Sequence, residues 1–218
     1  FFQAQDGIRD PLWSRGLGDV YKRQIYNTVT SELFEGKKGI KIIPCYYKKD
    51  FPEWSDRGDG PGAPVAVHLP NSPVIQTGKR DGSKIRLPNG NYLEETASYY
   101  VLVETKAGGM APALITMKST QLNVSKKWNS MMKTIQIPDG KGGMAIPPMH
   151  GVVYNLQSVL QKNDKGSWYG WSVTQDRIMG QEDKSLYLTA KDFNSSVSKG
   201  NVQTKADVEE KAKDNTPY

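Results

Sequence analysis

The chain has 218 residues, with 29 Lys and Arg against 23 Asp and Glu, two histidines and a single cysteine. Its formal net charge of +6 is compatible with an anionic partner without demanding one. Cys45 alone excludes an intramolecular disulfide framework and makes a reducing compartment the default, and no apolar run reaches the roughly 20 residues of a membrane-spanning helix.

Residues 1–24, FFQAQDGIRDPLWSRGLGDVYKRQ, do not read as a protein element. SRGLGDVYKRQ back-translates onto a transposase-type sequencing adapter. AQDGIRD resembles a translated flow-cell adapter with Gln5 in place of Glu, and Pro11-Leu12-Trp13 has the size of an index between them. The expectation is an adapter-derived stretch outside the fold, with the natural sequence starting at Ile25 or later. Roughly 190 residues then remain, enough for one domain with a sizeable core.

Ile25 to Phe34 fits either a short helix or an edge strand. Gly39 to Phe51, GIKIIPCYYKKDF, is rich in β-branched and aromatic residues and predicts a strand, with Pro44 marking a bulge or an edge. Trp54 follows, then a Gly- and Pro-dense loop from Arg57 to Pro64 that lacks the Gly-Lys-Ser/Thr ending of a phosphate loop. Val65 to His68 predicts a short strand. Asn71 to Asn91 is polar and holds Lys79, Arg80, Lys84 and Arg86. It reads as a surface loop or as a basic arm that orders on a partner. Tyr92 to Glu104 and Ala111 to Met117 predict an antiparallel pair turning at Ala107-Gly108-Gly109.

Val124, Trp128, Met131 and Ile135 recur at i, i+4, i+7 and i+11, the stripe of a helix docked by one face. Ser119 or Thr120 is its expected N-cap and Pro138 its stop. Lys126, Lys127 and Lys133 lie off the stripe, and a buried role follows for Trp128 despite its basic neighbours. Asp139 to Gly143 predicts a flexible loop. Val152 to Leu160 and Ser167 to Val173 alternate around the turn Asn163 to Gly166, a hairpin with one strongly apolar face. Leu186, Ala190, Phe193 and Val197 mark a second amphipathic helix, with Ser185 near its start and Gly200 past its end. Residues 201–218 are polar and predict a disordered tail.

Catalytic patterns are missing from the sequence: there is no GxSxG, HExxH, Walker or dinucleotide fingerprint. His68, His150 and Cys45 lack metal-ligand spacing. Glu94 and Glu95 are adjacent on a strand, point to opposite faces and cannot share a proton. The expectation is a protein that is not an enzyme and uses no cofactor or metal.

What the sequence does supply is aromatic and basic residues interleaved on strands. Such a surface stacks unpaired bases and neutralises phosphates. Neighbouring aromatics on a strand point opposite ways, so each pair offers one core ring and one candidate surface ring. The chain order of strands, a helix and a closing hairpin matches an OB-fold. The expected fold is therefore α+β: an OB-like small β-barrel over residues 25–200, with a helix between strands and a C-terminal amphipathic helix. Lys48, Lys49, Trp54, Lys126, Lys127, Trp168 and Tyr169 are the candidate nucleic-acid-binding residues, lysines on phosphates and rings under bases.

IIPCYYKKDFPEW, LPNGNYLEETASYYVLV, ALITMKSTQLNVSKKWNSMM and NDKGSWYGW together resemble a family of bacteriophage-encoded proteins, over most of Ile25 to Gly200. That resemblance implies single-stranded DNA binding in phage replication or recombination, in the cytoplasm of an infected bacterial host. A phage single-strand binder often ends in an acidic tail closed by an aromatic residue. Tyr218 fits, but Lys205, Lys211 and Lys213 dilute the acids. Two other readings stand beside it: a phage structural or assembly protein, and an accessory protein that binds a replication enzyme.

Overall fold

The computed structural model describes residues 2–4, 24–27, 31–56, 63–164 and 166–202. Residues 57–62 of the Gly- and Pro-dense loop, residues 203–218 of the tail and residues 1 and 5–23 of the adapter-like stretch lie outside them.

Three short strands come first, β1 (Phe2–Ala4), β2 (Gln24–Asn27) and β3 (Leu33–Glu35), and the ambiguous segment at Ile25 to Phe34 resolves into β2 and β3. β4 (Ile40–Trp54) is long because its β-branched and aromatic residues suit a pleated, largely buried surface. Its register shifts between Pro44 and Tyr46, the bulge that Pro44 predicts.

β5 (Ala66–His68) follows. The expected polar loop at Asn71 to Asn91 is instead ordered structure: helix α1 (Pro73–Thr77) and a hairpin of β6 (Lys79–Asp81) and β7 (Lys84–Arg86). β8 (Tyr92–Glu94), β9 (Thr96–Glu104) and β10 (Met110–Lys118) lead to helix α2 (Leu122–Thr134). β11 (Ile137–Pro138) and β12 (Met144–Ala145) form a small separate hairpin, so Asp139 to Gly143 is its turn. The long hairpin of β13 (Val152–Asn163) and β14 (Gly166–Ile178) and helix α3 (Lys184–Ser198) complete the fold.

The main sheet runs β3-β2-β1-β10-β9-β4, with β13 on β4 and β14 on β13. Its ladders are antiparallel except for the single parallel pair Phe2–Ile115. Past Asp50 the end of β4 leaves β9 and pairs with β5 and β8, carrying a second, smaller sheet through β7 to β6.

The sheets are not closed into a barrel, which corrects the OB-like expectation. β3 and β14 end the main sheet without pairing to each other. The β3–β4 turn only touches β13, where Ser158 N donates to Gly36 O at 3.0 Å and Gln157 Nε2 to Lys37 O at 2.7 Å. Gly39 makes that approach possible: its φ is +80°, and a Cβ there would stand 2.7 Å from Leu156 O.

Each face of the main sheet carries one helix. α2 lies over Ala97, Tyr99 and Val101 through Trp128, which is 1% exposed. The Trp128 ring stacks on Tyr99 with centroids 4.2 Å apart and meets Tyr154 edge-on at 5.6 Å. α3 packs Ala190, Leu186 and Phe193 over Ile43, Cys45, Leu102 and Val153 on the other face.

The predicted stripe on α2 is turned by about one position. Ser125, Trp128 and Met132 are buried, with Val124 and Met131 at its margin. The reason is a tight entry. Ser119, at φ +52°, opens a single 3₁₀ turn through Gln121, so Gln121 and neither Ser119 nor Thr120 precedes the helix. The Gln121 side chain ties this entry to the hairpin by accepting from Trp171 N at 2.9 Å. Ile135 ends the helix in an extended conformation, three residues before Pro138.

Candidate nucleic-acid interface

Lys48 and Lys49 sit mid-strand in β4, opposite Ser98 and Ala97, and so on opposite faces of the sheet. Lys48 Nζ lies 3.0 Å from Asp50, and Lys49 Nζ lies 2.6 Å from Glu95. Both pairs are partly exposed. Such pairs hold their partners weakly, and a phosphate can compete for the ammonium.

Lys126 and Lys127 project from the outer surface of α2. With Lys133 they form a cationic helix face, since α2 itself contains no Asp or Glu. Among the described residues no carboxylate lies within 4.0 Å of Lys126 or Lys127.

Trp168 and Tyr169 are half-buried neighbours on β14, opposite Gln161 and Leu160 on β13 and therefore on opposite faces. The Trp168 indole N–H is buried without an acceptor among the described residues. Trp54 ends β4 in the smaller sheet, opposite Tyr92 of β8. The seven candidate residues are thus spread over β4, α2 and β14. The register brings Trp54 beside Tyr92, which is not among the seven, and only chain neighbours of the seven lie side by side.

One polar cluster gave no sequence signal. Glu53 is 7% exposed. It accepts hydrogen bonds from Asn91 Nδ2 at 2.6 Å and Asn89 Nδ2 at 3.1 Å, and its other oxygen pairs with His68 Nε2 at 2.7 Å. Burial raises the carboxyl's pKa, but the hydrogen bonds from Asn91, His68 and Asn89 together outweigh it and hold the group below its ordinary range. Four residues from three separate loops and strands meet here, and no local pattern announces such a meeting.

Two further titratable groups lie in the packed interior. His150 packs against the Tyr187 ring, and burial, aided by Lys191, lowers its pKa. Cys45 lies under α3, where burial pushes its thiol up to about 12, too high for a reactive thiolate. Among the described residues no group of three or more His, Cys, Asp or Glu is placed to hold a metal ion.

These features define an α+β protein with an open, largely antiparallel sheet, clad by one helix on each face, that carries cations and aromatic rings on its strands and cations on one helix. Residues 20–203 match the model of the Pam3 phage gp34-like protein family, and the chain belongs to that bacteriophage family. No curated protein and no solved structure matches it.

Proposed function

We propose that this protein binds single-stranded DNA with little regard for base sequence, in phage replication or recombination within the infected host cell. The cationic outer face of α2 carries the reading: Lys126, Lys127 and Lys133 stand on a helix without one acidic residue. A helix docked by its opposite face gains nothing from holding like charges together unless an anion meets them. Trp54, Trp168 and Tyr169 supply the aromatic surface on which unpaired bases stack, with Lys48 and Lys49 as further phosphate contacts. The role needs no catalytic group, metal or cofactor, and an open sheet face serves it as well as an OB barrel.

Titrating labelled oligonucleotides at several salt concentrations tests this. Each phosphate contact on a single strand contributes a log–log slope of about −0.7. Lys126 and Lys127 are about 100° apart around the helix, so replacing both with Ala should flatten the slope by roughly one contact and weaken every base sequence alike. Trp168→Ala should cost affinity with little change in slope. An unchanged slope in the double lysine variant would remove α2 from the interface.

A second reading, a phage structural or assembly protein, has its own support. Val67 in β5 and Val65 and Leu69 flanking it are exposed, and among the described residues β5 pairs with β4 alone. An apolar edge strand of this kind is a site for another chain to pair. Recovery of the protein in purified virions, with no binding to oligonucleotides, would favour that reading over the first.

A further inference from the structure

The smaller sheet lines up a row of side chains that the linear sequence scatters. Trp54 of β4 stands opposite Tyr92 of β8, Tyr92 opposite Arg86 of β7, and Arg86 opposite Lys79 of β6. Residues directly opposite in antiparallel ladders share a face, with Cβ atoms about 4.5–5.5 Å apart. Lys84 and Glu94 form the next pair on that same face. Lys84 Nζ lies 3.6 Å from the Tyr92 ring centroid, and the Arg86 guanidinium carbon 5.6 Å from it. Trp54 and Tyr92 are both half-buried.

The acidic neighbours set which of these cations can change partners. Arg86 is tied to Asp56 at 3.1 Å and to Asp81 at 3.5 Å, and Glu94 is tied to Lys118 at 3.0 Å. Lys84 has no carboxylate within 4.0 Å among the described residues, and its contact is the ring itself. Lys118 is also the last residue of β10, directly before the entry to α2.

We infer that Tyr92, flanked by Trp54 and Lys84, is a base-stacking subsite for single-stranded DNA. This rests on the nucleic-acid reading above and gives it a location. In the free protein the Lys84 ammonium covers the electron-rich face of the Tyr92 ring. On binding it moves to the phosphate of the incoming nucleotide, and the base takes the ring face it leaves. Arg86, held by its two carboxylates, stays in place as the wall of the subsite. The arrangement favours no particular base, because every base has a face to stack.

The test uses the full chain and a fluorescent oligothymidylate of about twenty nucleotides, longer than the roughly 4–16 that a small single-strand-binding domain covers. Tyr92→Leu keeps an apolar side chain in place but removes the aromatic face, and should weaken binding roughly tenfold with the salt slope unchanged. Tyr92→Phe should restore binding to within about twofold, since the stacking ring is what matters. Lys84→Gln should flatten the slope by about 0.7. Photocrosslinking with a 5-iodouracil oligonucleotide, mapped by mass spectrometry, should mark Tyr92 or Trp54 in the unmodified protein, independently of how any variant folds.

If the protein binds, the double lysine variant of α2 weakens it, but Tyr92→Leu and Lys84→Gln bind normally and no crosslink falls on Tyr92 or Trp54, the subsite is wrong and the nucleic-acid reading survives. If the folded, unmodified protein fails to bind at low salt, both fall together.

Discussion

Trp128 shows how a residue among lysines on the sequence becomes the centre of a core. Its ring is sandwiched between the sheet and α2, in stacked contact with Tyr99 and edge contact with Tyr154, while the Tyr99 hydroxyl reaches the Ser125 side chain at 2.7 Å. Trp128→Ala should cost about 3–5 kcal/mol, because it loses both the buried area and the packing around the vacated space. Denaturant unfolding measures this directly. A variant as stable as the parent would place the ring outside the core. Glu53 makes a different prediction at the same scale. Its carboxyl is held below its ordinary range in the folded state, so its contribution is complete above that range and lost as pH falls through the lower, folded value. Melting temperature followed from neutral to acidic pH should therefore fall more steeply for the parent than for Glu53→Gln, which has no proton to gain. Parallel curves would mean that the cluster contributes no pH-dependent stability.

At the scale of elements, the sequence was most legible where the apolar spacing is long and regular. Both amphipathic helices are present, and the β13–β14 hairpin and the antiparallel β9–β10 pair follow the predicted alternation. The bulge at Pro44 was readable because proline cannot donate to a ladder. Gly200 caps α3 as predicted, at φ +72°, with its N–H donating to Val197 O at 2.9 Å. The miss at Asn71 to Asn91 has a physical cause. Its helix and strands are three to five residues long, too short for a period to show, and its apolar residues Val74, Ile75, Ile85 and Leu87 gain a core only by meeting Phe51 and Leu93 from elsewhere in the chain. Barrel closure was misjudged for a similar reason, since element order does not determine whether the outermost strands meet. Of the residues in the proposed subsite only Trp54 was a candidate in the sequence, because it is cross-strand register that brings Tyr92 and Lys84 beside it.

The adapter-like stretch was expected to lie outside the fold, but its β1 stands between β2 and β10 in the main sheet. Phe2–Ala4 pairs with Ile25, Tyr26 and Asn27 in β2 and touches β10 at one position. These are main-chain ladders that any extended segment can form, so they do not argue that the segment was selected for this position. Deleting residues 1–24 should lower the melting temperature by no more than a few degrees. A larger drop would mean that the adapter-like stretch contributes buried contacts and belongs to the fold.

For the whole molecule, the informative feature is where β4 and β9 part. They are paired down to Asp50 and Thr96. Everything between those two residues leaves the main sheet and returns to it, and it carries an apolar cluster of its own around Phe51, Ile85, Leu87 and Leu93. Replacing Pro52 to Glu94 with an Asn-Gly turn should leave a plain β4–β9 hairpin, because that dipeptide suits the twist of antiparallel strands. The shortened protein should keep the near-ultraviolet signature of the Trp128 stack and unfold in one transition, yet lose the stacking share of its affinity for oligothymidylate. Loss of all tertiary signal would show that the excursion and the main sheet fold only as a unit. In architectural terms the excursion is a turn that has grown into a module. If the shortened protein keeps its fold, the length and sequence of this module are free to change without disturbing the scaffold beneath.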